Sequence, residues 1–427
     1  MKKKVVLAYS GGLDTTVCIP WLIENQDCEV IAVCVDIGQT ADWKDITKRA
    51  AKAGASICHI ADMKKEYVEE YIWQTLKAGA VYEDKYLLGA STARALITKV
   101  LVEFARKEKA TAIAHGATGK GNDQVRLDLG IMALAPDLEI IAPWRIWKLK
   151  TRQDQVRYLS RRNLPLPQKK KNSYSIDDSL WHVSHEGLDL EDPANEPSYR
   201  KLLSMTVTPE KAPNSPVYVE IEFENGIPVG LNGKKMEGLA LINSLNKIGG
   251  ANGIGITDLI ENRVIGIKCR GVYEAPGAAI LYYAHKQLEH LCLDRQTFVF
   301  KQQTSIKMGE MIYNGHWHSP LRQALSSFVD VTQQVVNGKV KLKLYKGSIS
   351  AAGITSPNSL YNSNLASFTT GEHYSLADAK GFVKLYALPV LVRSLSHNGK
   401  KNSVKSSASA SAAKPKSASG KKKTSKK

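Results

Sequence analysis

The sequence of 427 residues has six cysteines, Cys18, Cys28, Cys34, Cys58, Cys269 and Cys292, and no two stand as C-x-x-C or join histidines at zinc-ligand spacing. That argues against a disulfide framework and a structural metal, and the cysteines read as buried thiols of a reducing compartment. No uninterrupted apolar run is long enough to cross a bilayer. The short one after Lys2-Lys3-Lys4 is broken at Ser10-Gly11-Gly12, too early for the core of a secretion signal. The expected location is the cytoplasm, with no membrane partner. Acidic residues are absent from Lys400 to Lys427, where ten lysines stand among serine and alanine, so the formal charge of +18 falls to +8 over the first 399 residues. The body is therefore only mildly basic, which weakens a nucleic-acid reading for it. The tail is expected to be disordered, because Ser, Ala and Lys bury too little surface to offset the entropy of ordering, and to bind polyanions weakly at most.

With 43% hydrophobic and 23% charged residues, the body can build two domains with cores of their own. From Val5 to Pro165, apolar runs such as Val5 to Ala8, Val30 to Val35, Ser56 to Ile60 and Thr111 to Ala114 alternate with helical patterns such as Thr15 to Glu24 and Asp45 to Ala53. Strands apolar on both faces and separated by helices predict a parallel sheet covered on each side, an α/β doubly wound nucleotide-binding domain over 1–165. Two prolines and a basic run from Pro165 to Asn172 predict a linker. An α+β domain is expected over 166–375, with strands at Val217 to Phe223, Arg263 to Cys269 and Gly338 to Tyr345 and a helix from Ala278 to Leu291. A short helical segment is expected over 376–398, with Pro389 near its start or kinking it, and the tail over 399–427.

The first motif is Ala8-Tyr9-Ser10-Gly11-Gly12-Leu13-Asp14-Thr15-Thr16, directly after a buried strand and opening a helix. Glycines let the backbone turn tightly, and the unpaired N–H groups of a helix start, with the Ser10, Thr15 and Thr16 hydroxyls, suit phosphate oxygens. Asp14 could support the loop or a magnesium ion. The run is neither a Walker A loop nor a dinucleotide fingerprint, since G-K-[ST] and G-x-G-x-x-G are both missing. It resembles the S-G-G-x-D-[ST] loop of the N-type ATP pyrophosphatases, which implies ATP cleaved between the α- and β-phosphates. The residues by themselves establish an anion site.

The second motif, His115-Gly116-Ala117-Thr118-Gly119-Lys120-Gly121-Asn122-Asp123-Gln124-Val125-Arg126, again follows an apolar strand. It gathers exposed backbone donors, a hydroxyl, an amide, a carboxylate and a guanidinium, groups suited to an amino acid beside a nucleotide. Together with Tyr86-Leu87-Leu88-Gly89 and Ser91, Ala142-Pro143-Trp144-Arg145, Ser175 to Ser184, Glu261-Asn262-Arg263, Arg270 to Glu274 and Trp317-His318-Ser319-Pro320, it resembles the argininosuccinate synthase family from about Val5 to Leu395. The resemblance implies ligation of citrulline and aspartate through a citrullyl-adenylate, with ATP and Mg2+ required and a homotetramer as the working form. It implies that Ala8 to Thr16, the Val35 backbone and Gly116 contact ATP; that Thr118, Asn122 and Asp123 bind aspartate; and that Tyr86, Ser91, Asn122, Arg126, Ser175, Ser184, Glu261 and Tyr273 bind citrulline. Ser10, Asp14 and Asp123 are the candidates for positioning and charge roles in catalysis. Glu261 matches the ammonium of citrulline and Arg126 its carboxylate.

Three positions depart from the family pattern: Leu127 replaces the usual Phe, Ala90 precedes Ser91 where Thr is common, and Pro389 interrupts the C-terminal helical segment on which the family's tetramer relies. His316-Trp317-His318 lacks the further ligands of a metal site, and side-chain spacing yields no metal site elsewhere. Gly250 to Gly255 reads as a turn, because Asp258 occupies the last glycine position of a nucleotide fingerprint. Lys169-Lys170-Lys171 reads as a solvated linker. The alternatives are another adenylating enzyme with the same loop, such as a tRNA-modifying thiolase or an amide-forming synthetase, and a nucleic-acid-binding protein acting through its tail.

Overall fold

The computed structural model describes residues 2–167, 174–367 and 375–397. Most of the expected linker, including Lys169 to Lys171, and the tail from 399 onward lie outside the described residues.

In the unit Met1–Tyr361, the strands β1 (Lys3–Ala8), β2 (Cys28–Asp36), β3 (Ile57–Asp62), β4 (Ala112–His115) and β5 (Glu139–Ile141) form a parallel sheet in the order β3-β2-β1-β4-β5. Alternation along the strands divides their side chains between two cores. Val5, Leu7, Val30, Ala32 and Cys34 pack with α1 (Leu13–Gln26) and α2 (Trp43–Ala53) on one face. Val6, Ile31, Val33 and Val35 pack on the other with Leu96, Val100 and Leu101 of the helix Gly89–Lys107. Runs of consecutive apolar residues are what a strand buried on both faces requires. The strand order reverses between β1 and β4, which leaves a crevice at their carboxyl ends, where an open α/β sheet takes its ligands.

Two antiparallel sheets follow. One runs β10 (Lys234–Lys235), β9 (Ile227–Leu231), β8 (Val217–Glu224), β13 (Gly338–Tyr345), β14 (Ser348–Thr355), and the other β11 (Ile256–Asn262), β12 (Lys268–Glu274), β7 (Val183–Glu186), β6 (Ser175–Asp178). The strand expected at Arg263 to Cys269 is a tight turn for most of that length. Arg263 N–H donates to the Ile267 carbonyl at 2.8 Å and Gly266 N–H to the Arg263 carbonyl at 2.8 Å, with Gly266 at φ +85°. Glycine reaches that conformation without steric cost, so the chain reverses there and pairs β11 with β12. His316, Trp317 and His318 sit in the short connection between the helices Arg295–Tyr313 and Pro320–Gln333.

From Asn362 onward lies a second unit. Its helices Asp378–Tyr386 and Leu388–His397 are separated by Ala387, and Pro389 occupies the second position of the later helix. There the missing N–H breaks no intrahelical bond, so proline starts a helix where an interior position would break one. The side chains of Phe382, Leu385, Tyr386, Val390 and Val392 are exposed within it.

Candidate active site

The phosphate-type loop takes shape because β1 ends at Ala8 and α1 begins at Leu13, leaving four residues to turn. Gly11 carries φ +74°, and Gly12 is the cap of α1 with no side chain bonded to the first turn. The leading N–H groups of α1 are thus left to a ligand, and they concentrate the positive end of the helix at the crevice. Side chains stiffen the loop from within. Ser10 Oγ lies 3.2 Å from Thr15 Oγ1 and accepts from Gly12 N–H at 3.3 Å. Asp14 accepts from Gln155 Nε2 at 2.8 Å. The buried Thr16 hydroxyl is partnered by Tyr9 Oη at 3.2 Å and faces the core.

β1 and β4 are neighbours with Ala8 opposite His115, so the second motif starts beside the first. A Cβ on Gly116 would lie 2.9 Å from Thr15 Cγ2 and 3.4 Å from Thr15 N. Val35 stands one residue from the end of β2, the strand on the other side of β1. The nucleotide candidates from Ala8 to Thr16, Val35 and Gly116 therefore gather at the carboxyl ends of the three central strands. His115 Nε2 and the Asp128 carboxylate are 2.8 Å apart, and Asp128 also accepts from Arg145 Nη1 at 2.7 Å, which pins the start of the second loop.

Farther along that loop Thr118 is exposed, whereas Asn122 is buried and joins distant segments. Its Nδ2 donates to Tyr313 Oη at 2.8 Å and its Oδ1 accepts from Val264 N–H at 2.9 Å. Asp123 accepts from Arg94 Nε and Nη2 at 3.0 and 2.8 Å and faces Arg126 Nη1 at 3.3 Å. Burial alone would raise the Asp123 carboxyl, but the charges of Arg94 and Arg126 outweigh it and hold it below its ordinary value. Arg94 also reaches Asp177 at 2.8 Å, tying β6 to the loop.

Around this pair the citrulline candidates form an aromatic and carboxylate wall. Tyr86 lies 4.8 Å from Tyr273 and edge-on to Tyr313 at 6.0 Å, and Arg126 sits 4.8 Å above the Tyr313 ring. Ser91 Oγ and Glu261 Oε2 are both buried without a hydrogen-bond partner. Buried polar atoms without partners are costly unless a ligand or water completes them. Burial is the largest influence on Glu261, offset in part by the Arg126 charge, and lifts its carboxyl to about 7. Ser184 is buried on β7 with its hydroxyl 3.4 Å from the Asp177 carbonyl, and Ser175 is exposed at the start of β6.

Arg94, Asp177, His182 and Tyr313 belong to this constellation and were not singled out by sequence. Two of them carried a signal. Arg94 stands three residues after Ser91 on one helix, a same-face spacing, and Asp177 stands two residues after Ser175 on one strand. Tyr313 arrives from the end of a distant helix and carried none. His182 is neutral, its imidazole lowered to about 4 chiefly by burial. Among the described residues no group of three or more His, Cys, Asp or Glu could hold a metal ion. No helix among them is long and apolar enough to cross a membrane.

Residues 4–165 match the model of the arginosuccinate synthase N-terminal HUP domain and residues 174–393 that of the arginosuccinate synthase C-terminal domain. The argininosuccinate synthase of Brachyspira hyodysenteriae is 58% identical over 395 residues, covering 92% of this chain and 97% of that one. The enzymes of the same name from Acetivibrio thermocellus and Caldicellulosiruptor saccharolyticus are 57% and 58% identical, over 92% and 91% of this chain and 97% and 96% of theirs. With both halves of its body matched and relatives more than half identical along nearly all of it, the chain belongs to the argininosuccinate synthase family.

Proposed function

We infer that this chain ligates citrulline and aspartate into argininosuccinate, converting ATP to AMP and pyrophosphate, and that the crevice between β1 and β4 is where it does so. The observation that carries the assignment of the site is the approach of Gly116 to Thr15, which brings a helix start suited to phosphate beside a loop rich in amino-acid-binding groups.

In this reading Ala8 to Thr16, the Val35 backbone and Gly116 hold ATP, with Ser10 and Asp14 fixing the loop. Citrulline lies against Tyr86 and Tyr273, its ammonium at Glu261 and its carboxylate at Arg126, with Ser91, Asn122, Ser175 and Ser184 completing its polar contacts. Aspartate is held by Thr118, Asn122 and Asp123. The ureido oxygen of citrulline attacks the α-phosphorus, pyrophosphate leaves, and the amine of aspartate then displaces AMP from the citrullyl-adenylate. Citrulline supplies its own nucleophile, so these residues act by orientation and by fixed charge, and no Ser-His-Asp triad is required.

Asp14 keeps a carboxylate beside the loop, which suits a magnesium ion held chiefly by ATP phosphates and water. Magnesium bound with ATP neutralises phosphate charge. The partition at 1–165, 166–375, 376–398 and 399–427, a cytoplasmic location, a homotetramer and weak polyanion binding by the lysine-rich tail complete the reading. A monomeric mass by light scattering at micromolar concentration would remove the tetramer.

The decisive assay is pyrophosphate release from ATP and magnesium with citrulline and aspartate each omitted in turn, and the product identified by mass. Release that needs citrulline, with argininosuccinate formed only when aspartate is present, is the expected result. Release indifferent to both amino acids would withdraw the substrate assignments.

A further inference from the structure

Helix α2 buries Ile46, Ala50 and Ala53 along one stripe, at the i, i+4, i+7 spacing that faces a core. Arg49, one turn after Ile46, lies at the edge of that stripe and is turned toward the phosphate-type loop. A Cβ on Gly11 would lie 2.7 Å from Ile46 Cγ1 and 3.2 Å from Arg49 Nη2, so the guanidinium rests against the first glycine of the loop.

The Arg49 side chain is only 14% exposed, and its Nε is buried with no hydrogen-bond partner. The one carboxylate within reach among the described residues is Asp45, 3.4 Å from Nη2 and itself 54% exposed. Such a contact offsets little of a mostly buried charge. The arginine also acts on the loop electrostatically. Burial raises the Tyr9 hydroxyl, and the bond to Thr16 and the charge of Arg49 oppose that rise. A guanidinium whose Nη2 rests against the loop and whose Nε has no partner therefore stands beside a helix start whose leading N–H groups are left to a ligand. Arginine presents its donors in a planar fork that matches phosphate oxygens.

We propose that Arg49 is a direct ligand of the β,γ-pyrophosphate end of ATP and stabilises it as it leaves. As the ureido oxygen bonds to the α-phosphorus, the bond from that phosphorus to the bridging oxygen breaks and its electron pair stays on pyrophosphate. Arg49 offsets that added negative charge, and no proton has to move. The proposal rests on the assignment of Ala8 to Thr16 to the ATP phosphates.

The test uses the full chain and three variants, Arg49→Gln, Arg49→Lys and Ser10→Ala. The readouts are the KM values of ATP and citrulline, product inhibition by pyrophosphate, and the rise in melting temperature given by pyrophosphate alone. Arg49→Gln is expected to weaken ATP and pyrophosphate by about ten- to a hundredfold, the loss of one charged hydrogen-bonding group. The KM of citrulline should stay within about twofold, and Arg49→Lys should recover part of the loss by restoring the charge without the fork. If Ser10→Ala weakens ATP and pyrophosphate while Arg49→Gln does not, Arg49 is not a ligand and the loop assignment stands. If neither variant changes them, the loop assignment fails and takes this proposal with it. An Arg49→Gln protein that melts lower and weakens every substrate alike, with pyrophosphate protection intact, would make the arginine a packing residue and overturn the proposal.

Discussion

Arg94 donates two hydrogen bonds to one oxygen of Asp123, at 3.0 and 2.8 Å, and with the second of those nitrogens reaches Asp177 at 2.8 Å. One guanidinium thus fixes the loop expected to hold aspartate and the strand that begins with a citrulline candidate. Asp123 and Asp177 are each about one-third exposed, so the cluster is worth less than a fully buried ion pair. Arg94→Ala is expected to cost roughly 2 kcal/mol of stability. It should raise the KM of aspartate by at least about tenfold, the equivalent of one charged hydrogen bond. Denaturant titration and steady-state kinetics measure the two effects separately; an unchanged aspartate KM would limit Arg94 to a structural part.

Glu261 gives the site a pH dependence with a defined sign. Burial lifts its carboxyl to about 7 from an ordinary 4.5, so the free protein holds a proton there more tightly than the unfolded chain does. Its contribution to stability is therefore lost as pH rises from about 4.5 through about 7. An ammonium bound to the carboxylate reverses that preference, and citrulline should bind more tightly as pH rises toward 8, releasing roughly half a proton at pH 7. Calorimetry in two buffers of different ionisation enthalpy counts the proton. Binding with no proton release in the wild type, or unchanged release in Glu261→Gln, would exclude Glu261 as the titrating group.

Gly116 tests the crevice itself. In Gly116→Ala the new methyl meets Thr15 Cγ2 at 2.9 Å and Thr15 N at 3.4 Å, so one loop must give way. Overpacking of this kind costs about 1–3 kcal/mol. It should appear mainly as weaker ATP binding, with the parallel sheet intact by circular dichroism. Wild-type ATP affinity in this variant would place the nucleotide elsewhere.

Glu274 holds a different kind of junction. Its carboxylate, fully buried, accepts from His185 Nε2 at 2.8 Å, from the N–H groups of Ser204, Met205 and Thr206 at 2.8, 2.8 and 2.7 Å, and from the Ser204 and Thr206 hydroxyls. Burial would raise this carboxyl, but the hydrogen bonds from His185, Thr206 and the loop backbone bring it down to about 2. A depressed carboxyl stabilises the fold above its ordinary value of 4.5, and that stability is lost as pH falls through about 2. Removing the charge with Glu274→Gln should cost about 3 kcal/mol at pH 7 and flatten the acid limb of the stability curve between about 4.5 and about 2. Parallel acid limbs for the two proteins would show that the hydrogen bonds do not depend on the charge.

The first domain was more legible in sequence than the second, for a physical reason. A strand buried on both faces writes itself as consecutive apolar residues, and Val5 to Ala8 and Val30 to Val35 fall within β1 and β2. The loop glycines were legible because only a tight turn and a close approach explain Gly11, Gly12 and Gly116 in those places. The segment at Arg263 misled because Val264, Ile265 and Ile267 are apolar, while the turn depends on Gly266 and two backbone bonds. Tyr313 was invisible because its contacts with Asn122, 191 residues before it, and with the still earlier Tyr82 depend on how a distant helix is packed. Arg49 was hidden by its own composition, one basic residue in a helix that also carries Lys44, Lys48 and Lys52.

The helix Arg295–Tyr313 ends with the carbonyl of Tyr313 accepting from Arg126 Nε at 2.9 Å. Nineteen aligned peptide dipoles thus present their negative pole to that guanidinium. The arginine is steadied in part by backbone, a counter-charge that takes up no proton at any working pH and cannot swing away. Its other edge faces Asp123, with Nη1 3.3 Å from the carboxylate, so a helix end holds one side of the guanidinium and the second motif's loop the other. Sequence comparison at position 126 alone would miss this dependence, because the partner is a main-chain oxygen and any residue that keeps the helix in place can supply it.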